Sequence, residues 1–203
     1  MENERAYSNK DLEHAKKSIE HSLGYRDKGL EAYATGLGVE SFKDFEGMKV
    51  LDLGAGAHLQ FARGLESAGI KADVISFSPA FADEKWRENI KDASPKNIIV
   101  AGMGEALPFA DEAFDRVVCL DVVEHLYTPQ RFLIFLKEIT RVLAPKGIAY
   151  IGPTAEMKID RSMATISKPE LEKILENKVD INWQLVHKIL KHFTLILRKK
   201  AQN

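Results

Sequence analysis

Asp52, the glycines at 54 and 56, Ser76, Asp121 and His125 are the residues whose types and placement could do chemistry. Residues 50–56 read VLDLGAG: an apolar run with an acid near its end, then two glycines, with a helix-forming stretch from Leu59. Glycines carry no Cβ, so a ligand can approach the backbone of such a turn, and a helix start behind it adds N–H donors for an anionic group. A tight strand-to-helix turn with no ligand explains the two glycines, taken alone, equally well. Histidine is the residue type suited to proton transfer near neutral pH, so His125 could remove a proton from an oxygen or nitrogen nucleophile. The competing reading is a histidine at a helix start, satisfied by Glu124 or a backbone carbonyl.

These residues need a scaffold, and the chain supplies its rhythm from about Met48 onward. Apolar bursts at 50–53, 73–77, 97–101, 116–120 and 148–151 are short, rich in valine, isoleucine and leucine, and nearly unalternated, as strands covered on both faces are. Helical patterns at 59–67, 79–91 and 129–143 separate them, which predicts a parallel α/β sheet. In the last, Phe132, Phe135, Leu136, Ile139, Val142 and Leu143 form the buried stripe, with Lys137, Glu138 and Arg141 opposite. Thr128 is its expected cap, Pro129 its first residue, and Pro145-Lys146-Gly147 its stop. Another helix is expected at 168–176, then strands at 178–190 and 192–199, with a helix at 184–190 as the alternative. The first 47 residues read as a helical annex with segments at 10–23 and 27–37, Leu12, Ala15 and Ile19 forming a thin stripe. The expected division is 1–47 for the annex and 48–203 for the main domain. An open sheet of this kind binds ligands beyond the carboxyl ends of its strands, where the 54–56 turn falls.

The glycine turn is not alone. Together with Phe77-Ser78-Pro79, GMGEALPFADEAFDRVV at 102–118, DVVEHL at 121–126 and FLKEITRVLAPKG at 135–147, it closely resembles the class I S-adenosylmethionine-dependent methyltransferases, most of all their broad small-molecule group. The resemblance covers roughly residues 49–153 in the family's order and spacing. It implies a doubly wound, seven-stranded, mostly parallel α/β sheet with a reversed last strand. It also implies S-adenosylmethionine as cofactor, S-adenosylhomocysteine as product and a small-molecule methyl acceptor. Asp52, Gly54, Ala55 and Gly56 match the segment that holds the cofactor's methionine moiety. Phe77, Gly104, Glu105, Leu120 and Asp121 are implied to line the rest, and His125 to stand where the acceptor enters.

Three positions depart from the pattern. His58 replaces a further glycine and is expected to cap or line the helix start. Ser76 stands where the family places an acid that accepts both ribose hydroxyls, and one hydroxyl cannot replace a two-oxygen carboxylate. Met103 stands where an aspartate meets the adenine amine; methionine packs on a purine but is no such acceptor. Loss of two charge-assisted bonds at roughly 1.5–3 kcal/mol each would weaken binding on the order of a hundredfold to over ten-thousandfold. Glu105, backbone around Gly104, Tyr25 and Tyr33 are the expected sources of compensation.

Composition narrows the field. The 203 residues carry 29 basic and 30 acidic side chains, a net charge of −1 that supplies no global attraction to nucleic acid or to an anionic membrane. The single cysteine, Cys119, excludes a disulfide framework and a zinc site built on several thiolates; it is expected in the core, and no metal is expected. The N-terminus lacks the order of a secretory signal and no apolar run reaches a membrane span, so the reading is cytoplasmic. No Asn/Asp-Pro-Pro-aromatic segment follows the fourth strand, which argues against the nucleic-acid amino-methylating subclass. Asp115 and Arg116 could form a surface ion pair, and the basic tail at Lys188, Lys191, Arg198, Lys199 and Lys200 reads as a solvated strand end. Two rival functions are a noncatalytic protein of the same fold acting through a partner, and a nicotinamide oxidoreductase. The second lacks both the third glycine of the dinucleotide fingerprint and the ribose-binding acid.

Overall fold

The computed structural model describes residues 29–56, 58–84, 87, 90, 98–126, 128–154, 168–176, 181–187 and 193–201. The expected annex helix at 10–23, Tyr25 and most of 85–97 lie outside them. Seven strands form one sheet: β1 (Lys49–Leu53), β2 (Asp73–Ser78), β3 (Ile98–Ala101), β4 (Phe114–Leu120), β5 (Leu143–Thr154), β6 (Ile181–His187) and β7 (Phe193–Lys199). Their order is β3-β2-β1-β4-β5-β7-β6. β7 runs antiparallel to both neighbours, and the pairings from β3 through β5 are all parallel. The reversed last strand is therefore present, and the chain's direction through the sheet switches between β1 and β4.

Alternation along each strand decides which residues meet which helices. Leu51, Leu53, Phe77, Val117, Cys119, Ala149 and Ile151 join one core with Phe132, Phe135, Leu136 and Ile139 of α3 (Pro129–Val142) and Leu171 and Leu175 of α4 (Lys168–Glu176). On the other face Val50, Val74 and Val118 pack with Tyr33 and Leu37 of α1 (Gly29–Leu37) and Phe61 and Leu65 of α2 (Gln60–Ser67). Asp52, two residues beyond Val50, belongs to this second face. α1 lies close on the sheet: a Cβ on Gly36 would stand 2.5 Å from Cδ1 of Leu120, and Thr194 Oγ1 donates to the Gly36 carbonyl at 2.8 Å. Leu30 fills the space over Gly64 of α2 in the same way.

Several expectations are corrected. Thr128 does cap α3, accepting from the Arg131 N–H at 3.2 Å, but the helix ends at Val142 and β5 starts at once. Pro145-Lys146-Gly147 occupies a bulge in β5, with Lys146 at φ +65°, because pairing with β4 passes from Leu143 directly to Ile148. The helix expected at 79–91 opens as a 3-10 turn, Pro79–Ala82, capped by Ser78; beyond it Glu84, Arg87 and Ile90 are helical, and the Arg87 N–H donates to the Asp83 carbonyl at 3.2 Å. β6 starts at Ile181 and extends to His187, so residues 184–187 are strand. Lys199 is no solvated end: its ammonium lies 3.1 Å from Glu112 and donates to the Leu143 and Thr140 carbonyls, closing the end of α3. Asp115 accepts the Lys49 N–H at 2.9 Å and Arg116 donates to the Asp115 carbonyl, in place of an ion pair between their side chains. Among the described residues no helix is long and apolar enough to cross a membrane, and no group of histidine, cysteine and acidic side chains could hold a metal.

Candidate functional site

The order of the strands reverses between β1 and β4, the place where an open sheet of this kind takes its ligand beyond the carboxyl ends, and the backbone there is unusual. Gly54 and Gly56 are left-handed, at φ +79° and +62°, and so are two residues with side chains, Leu59 and Asp121. A left-handed leucine costs about 1–2 kcal/mol and is retained only where its surroundings impose it. The turn is pinned to β2 because the Gly54 and Ala55 N–H groups both donate to the Phe77 carbonyl, at 2.8 and 3.3 Å. Those two donors are thus spent within the fold. A Cβ on Gly54 would overlap Val122, whereas Gly56 faces open space. α2 opens on Leu59 with no side-chain cap, and His58 is exposed, so the expected histidine cap is not formed.

Asp52 dominates the electrostatics. It is 1% exposed, its Oδ1 accepts a long hydrogen bond from the Tyr33 hydroxyl at 3.5 Å, and its Oδ2 has no partner among the described residues. Burial pushes its pKa from the ordinary carboxyl value up to about 8, and the Tyr33 bond only partly offsets this. The same burial, reinforced by the nearby carboxyl of Asp52, raises the Tyr33 phenol. Ser76 sits opposite Asp52 in the β1–β2 register, fully buried, and its Oγ is also unpartnered. Unmade bonds on buried polar atoms cost about 1–3 kcal/mol, so two on neighbouring strands call for a polar partner, whether ordered water or a ligand.

The third wall is the loop after β3, and its support was not legible in the sequence. Gly102 lies against the Phe77 ring, where a Cβ would come within 2.6 Å, and Gly104 lies equally close to the Phe135 ring. Half-buried Met103 accepts the Ala106 N–H at 3.0 Å through its carbonyl. Glu105 is held to α3 by Arg131, whose Nε donates to its Oε1 at 2.6 Å. Glu138 and Arg141, expected opposite the apolar stripe, instead clamp the loop. Arg141 donates to the Leu107 and Phe109 carbonyls and to Asp111 and Glu138, and Glu138 accepts the Leu107 N–H at 2.8 Å. The Arg141 guanidinium holds the Glu138 carboxyl below its usual range. Their three-residue spacing was visible; the loop they reach, some thirty residues away in sequence, was not.

On the far side, Leu120 is half-buried under Gly36, and exposed Asp121 donates its N–H to the Gly152 carbonyl at 2.8 Å. His125 closes the short 3-10 turn Val123–His125, half-buried, with its N–H donated to the Val122 carbonyl at 2.9 Å. It therefore lies on a turn and not at the start of a regular helix. Phe109 and Phe114 meet edge to face at 5.0 Å in the core, and Cys119 is buried, as expected. A cavity of about 1,220 Å³ lies at the opposite, amino ends of the strands, walled by Leu65, Ile75, Ile98 and Phe109 among others. It is lined by none of the sequence-predicted site residues.

Comparison with known proteins decides the family. A model described as a methyltransferase domain matches residues 51–151, from β1 through β5. The chain belongs to the class I S-adenosylmethionine-dependent methyltransferases. It is 33% identical over 128 residues to a ubiquinone biosynthesis O-methyltransferase of Parvibaculum lavamentivorans, covering 58% of this chain and 44% of that protein. It is 30% identical over 131 residues to an uncharacterized methyltransferase of Bacillus subtilis, covering 61% and 48%. The chain thus spans about half the length of the curated relatives it matches. A S-adenosylmethionine-dependent methyltransferase structure from Aquifex aeolicus, 22% identical, has the same fold at a TM-score of 0.60, covering 93% of this chain and 98% of that one.

The methyltransferase's cofactor can be tested against the residues present. Its amino-acid end fits: a cation suits the unpartnered Oδ2 of buried Asp52, and the open left-handed Gly56 leaves room beside it. At the nucleoside end, Ser76 Oγ offers one group that is unpartnered among the described residues, and the Phe77 ring lies against Gly102.

Proposed function

We propose that the chain transfers the methyl group of S-adenosylmethionine to an oxygen or nitrogen of a small molecule by in-line displacement. The observation that carries this reading is Asp52: a buried carboxyl with one oxygen unpartnered, beside the left-handed glycine turn at the switch point of the sheet. The similarity to a ubiquinone biosynthesis O-methyltransferase supports a small-molecule acceptor, as does the balanced charge.

The cofactor, when bound, supplies an activated methyl on its sulfonium. Asp52 holds the cationic amino group, and Gly54, Ala55 and Gly56 admit the methionine end close to the backbone. Ser76 takes one ribose hydroxyl, with Phe77, Met103, Gly104 and Glu105 flanking the base and Leu120 and Asp121 bordering the opening. The protein's task is then to align the nucleophile and exclude water, and orientation alone supplies much of the acceleration. His125 takes the proton where the acceptor must lose one.

A second reading has its own observation. Ser76 cannot match a carboxylate, and the Glu105 carboxylate is engaged by Arg131, which favours a noncatalytic protein of this fold acting through a partner. Calorimetric titration with S-adenosylmethionine and S-adenosylhomocysteine separates the two. Binding below millimolar concentration is expected; none at millimolar ligand would refute the enzymatic reading.

A further inference from the structure

Tyr33 comes from α1, outside the stretch that carries the family resemblance, yet its hydroxyl donates to the Asp52 side chain. Its ring is fixed by Phe61 of α2 at 4.9 Å between centroids, so the hydroxyl is delivered to Oδ1 by packing. With Oδ1 taking the Tyr33 hydroxyl, Oδ2 is the oxygen that has no partner among the described residues. Resting on the donor-site reading above, we propose that Tyr33 is a positioning residue that acts through Asp52, coupling entry of a cationic ammonium at Oδ2 to the loss of one proton from the Asp52 carboxyl.

The surroundings of Asp52 make this coupling direct. Tyr33 of α1 reaches its side chain, Ser76 of β2 and Val118 of β4 flank it in register, and the α2 residues buried on the same sheet face, Phe61, Ala62 and Leu65, do not titrate. Asp121 and Cys119, nearer the end of β4, act on Tyr33 and only raise its phenol further. Among the described residues no basic side chain offsets the burial of Asp52, whose carboxyl accordingly keeps its proton up to about pH 8. An arriving ammonium is the missing counter-charge. The O–H bond of the carboxyl breaks, its electrons stay on oxygen as carboxylate facing the cation, and the proton leaves to solvent. The ammonium is unchanged, so charge and protons balance.

The direction follows from linkage: below pH 8 each binding event releases a proton, and affinity rises with pH by up to about tenfold per unit. An α-amino group titrates near 8, so below pH 7 the ligand stays cationic and the release belongs to the protein. The test is calorimetry of the full chain with S-adenosylhomocysteine at pH 6 and 7, each in phosphate and in Bis-Tris, whose ionisation heats differ. About one proton released per ligand is expected, with Kd about tenfold lower at pH 7 than at pH 6. Tyr33→Phe keeps the ring packing but removes the bond that favours the ionised carboxyl. It should weaken binding about three- to tenfold at pH 6–7, with the penalty vanishing by pH 9. Asp52→Asn should abolish both the proton release and the pH dependence. Wild-type binding with no proton release, or a Tyr33→Phe penalty equal at all pH, would overturn the coupling while leaving the donor site standing. No binding at millimolar ligand would defeat the donor site itself and the coupling with it.

Discussion

Replacing Asp52 with asparagine should stabilise the ligand-free domain, by an amount that grows with pH. The folded carboxyl titrates at about 8 and the unfolded one at the ordinary 3.8, so between these values the folded state holds a proton that the unfolded state has lost. This is the reverse of a salt-bridged carboxylate: the folded state is favoured by acid, and stability is lost as pH rises from about 4 to 8, by about 1.4 kcal/mol per unit. At pH 7 the loss is roughly 4 kcal/mol. Asparagine matches the protonated carboxyl in shape and escapes that loss. It leaves a buried amide imperfectly bonded at about 1–3 kcal/mol, independent of pH. The variant should therefore be close to neutral at pH 5 and clearly more stable than wild type at pH 8. The two profiles should diverge by about 4 kcal/mol over that range, equivalent to roughly 8–16 °C in Tm for a domain of this size. Urea denaturation of both proteins at pH 5, 6, 7 and 8 reads the divergence directly, because every other titrating group is shared. Parallel profiles would mean that Asp52 ionises at its ordinary pH and that the burial argument is wrong.

Arg141→Ala should cost about 2–3 kcal/mol in denaturant melts and speed amide exchange at residues 107–111, since the side chain holds two loop carbonyls and two carboxylates. In wild type the Glu138 contribution is present above its unfolded pKa and lost as pH falls through its lowered folded value; Arg141→Ala should flatten that acid limb. Gly54→Ala should be more damaging than Gly56→Ala, because both strain a left-handed residue by about 1 kcal/mol but only the first drives a Cβ into Val122; equal melting temperatures would contradict this. Ser76→Asp should tighten S-adenosylhomocysteine binding by roughly tenfold to a hundredfold while lowering apo stability, as a second buried carboxyl is set beside Asp52; unchanged affinity would remove the ribose from that position.

The local elements were legible because their signals are local. The bursts at 50–53, 73–77 and 148–151 are strands because a parallel sheet covered on both sides tolerates little but apolar residues, and Thr128-Pro129 marks where α3 begins. The helix stop at 145–147 was misread for the same reason. Proline and glycine signal a break in regular structure, and here the break is a bulge inside β5, a feature defined by its partner strand β4.

Sequence by itself determined the strand order's raw material, the glycine turn, the placement of Asp52 at the end of an apolar strand, and the departures at Ser76 and Met103. Tertiary structure alone decided how those residues are dressed: that Asp52 is buried beneath Tyr33, that Ser76 stands beside it, that Glu105 is committed to Arg131, and that Arg141 and Lys199 are clamps and not solvated charges. The physical reason is range. Backbone preference and apolar periodicity are set by neighbours a few residues away, whereas the charge state of a carboxyl depends on which distant side chains exclude water from it.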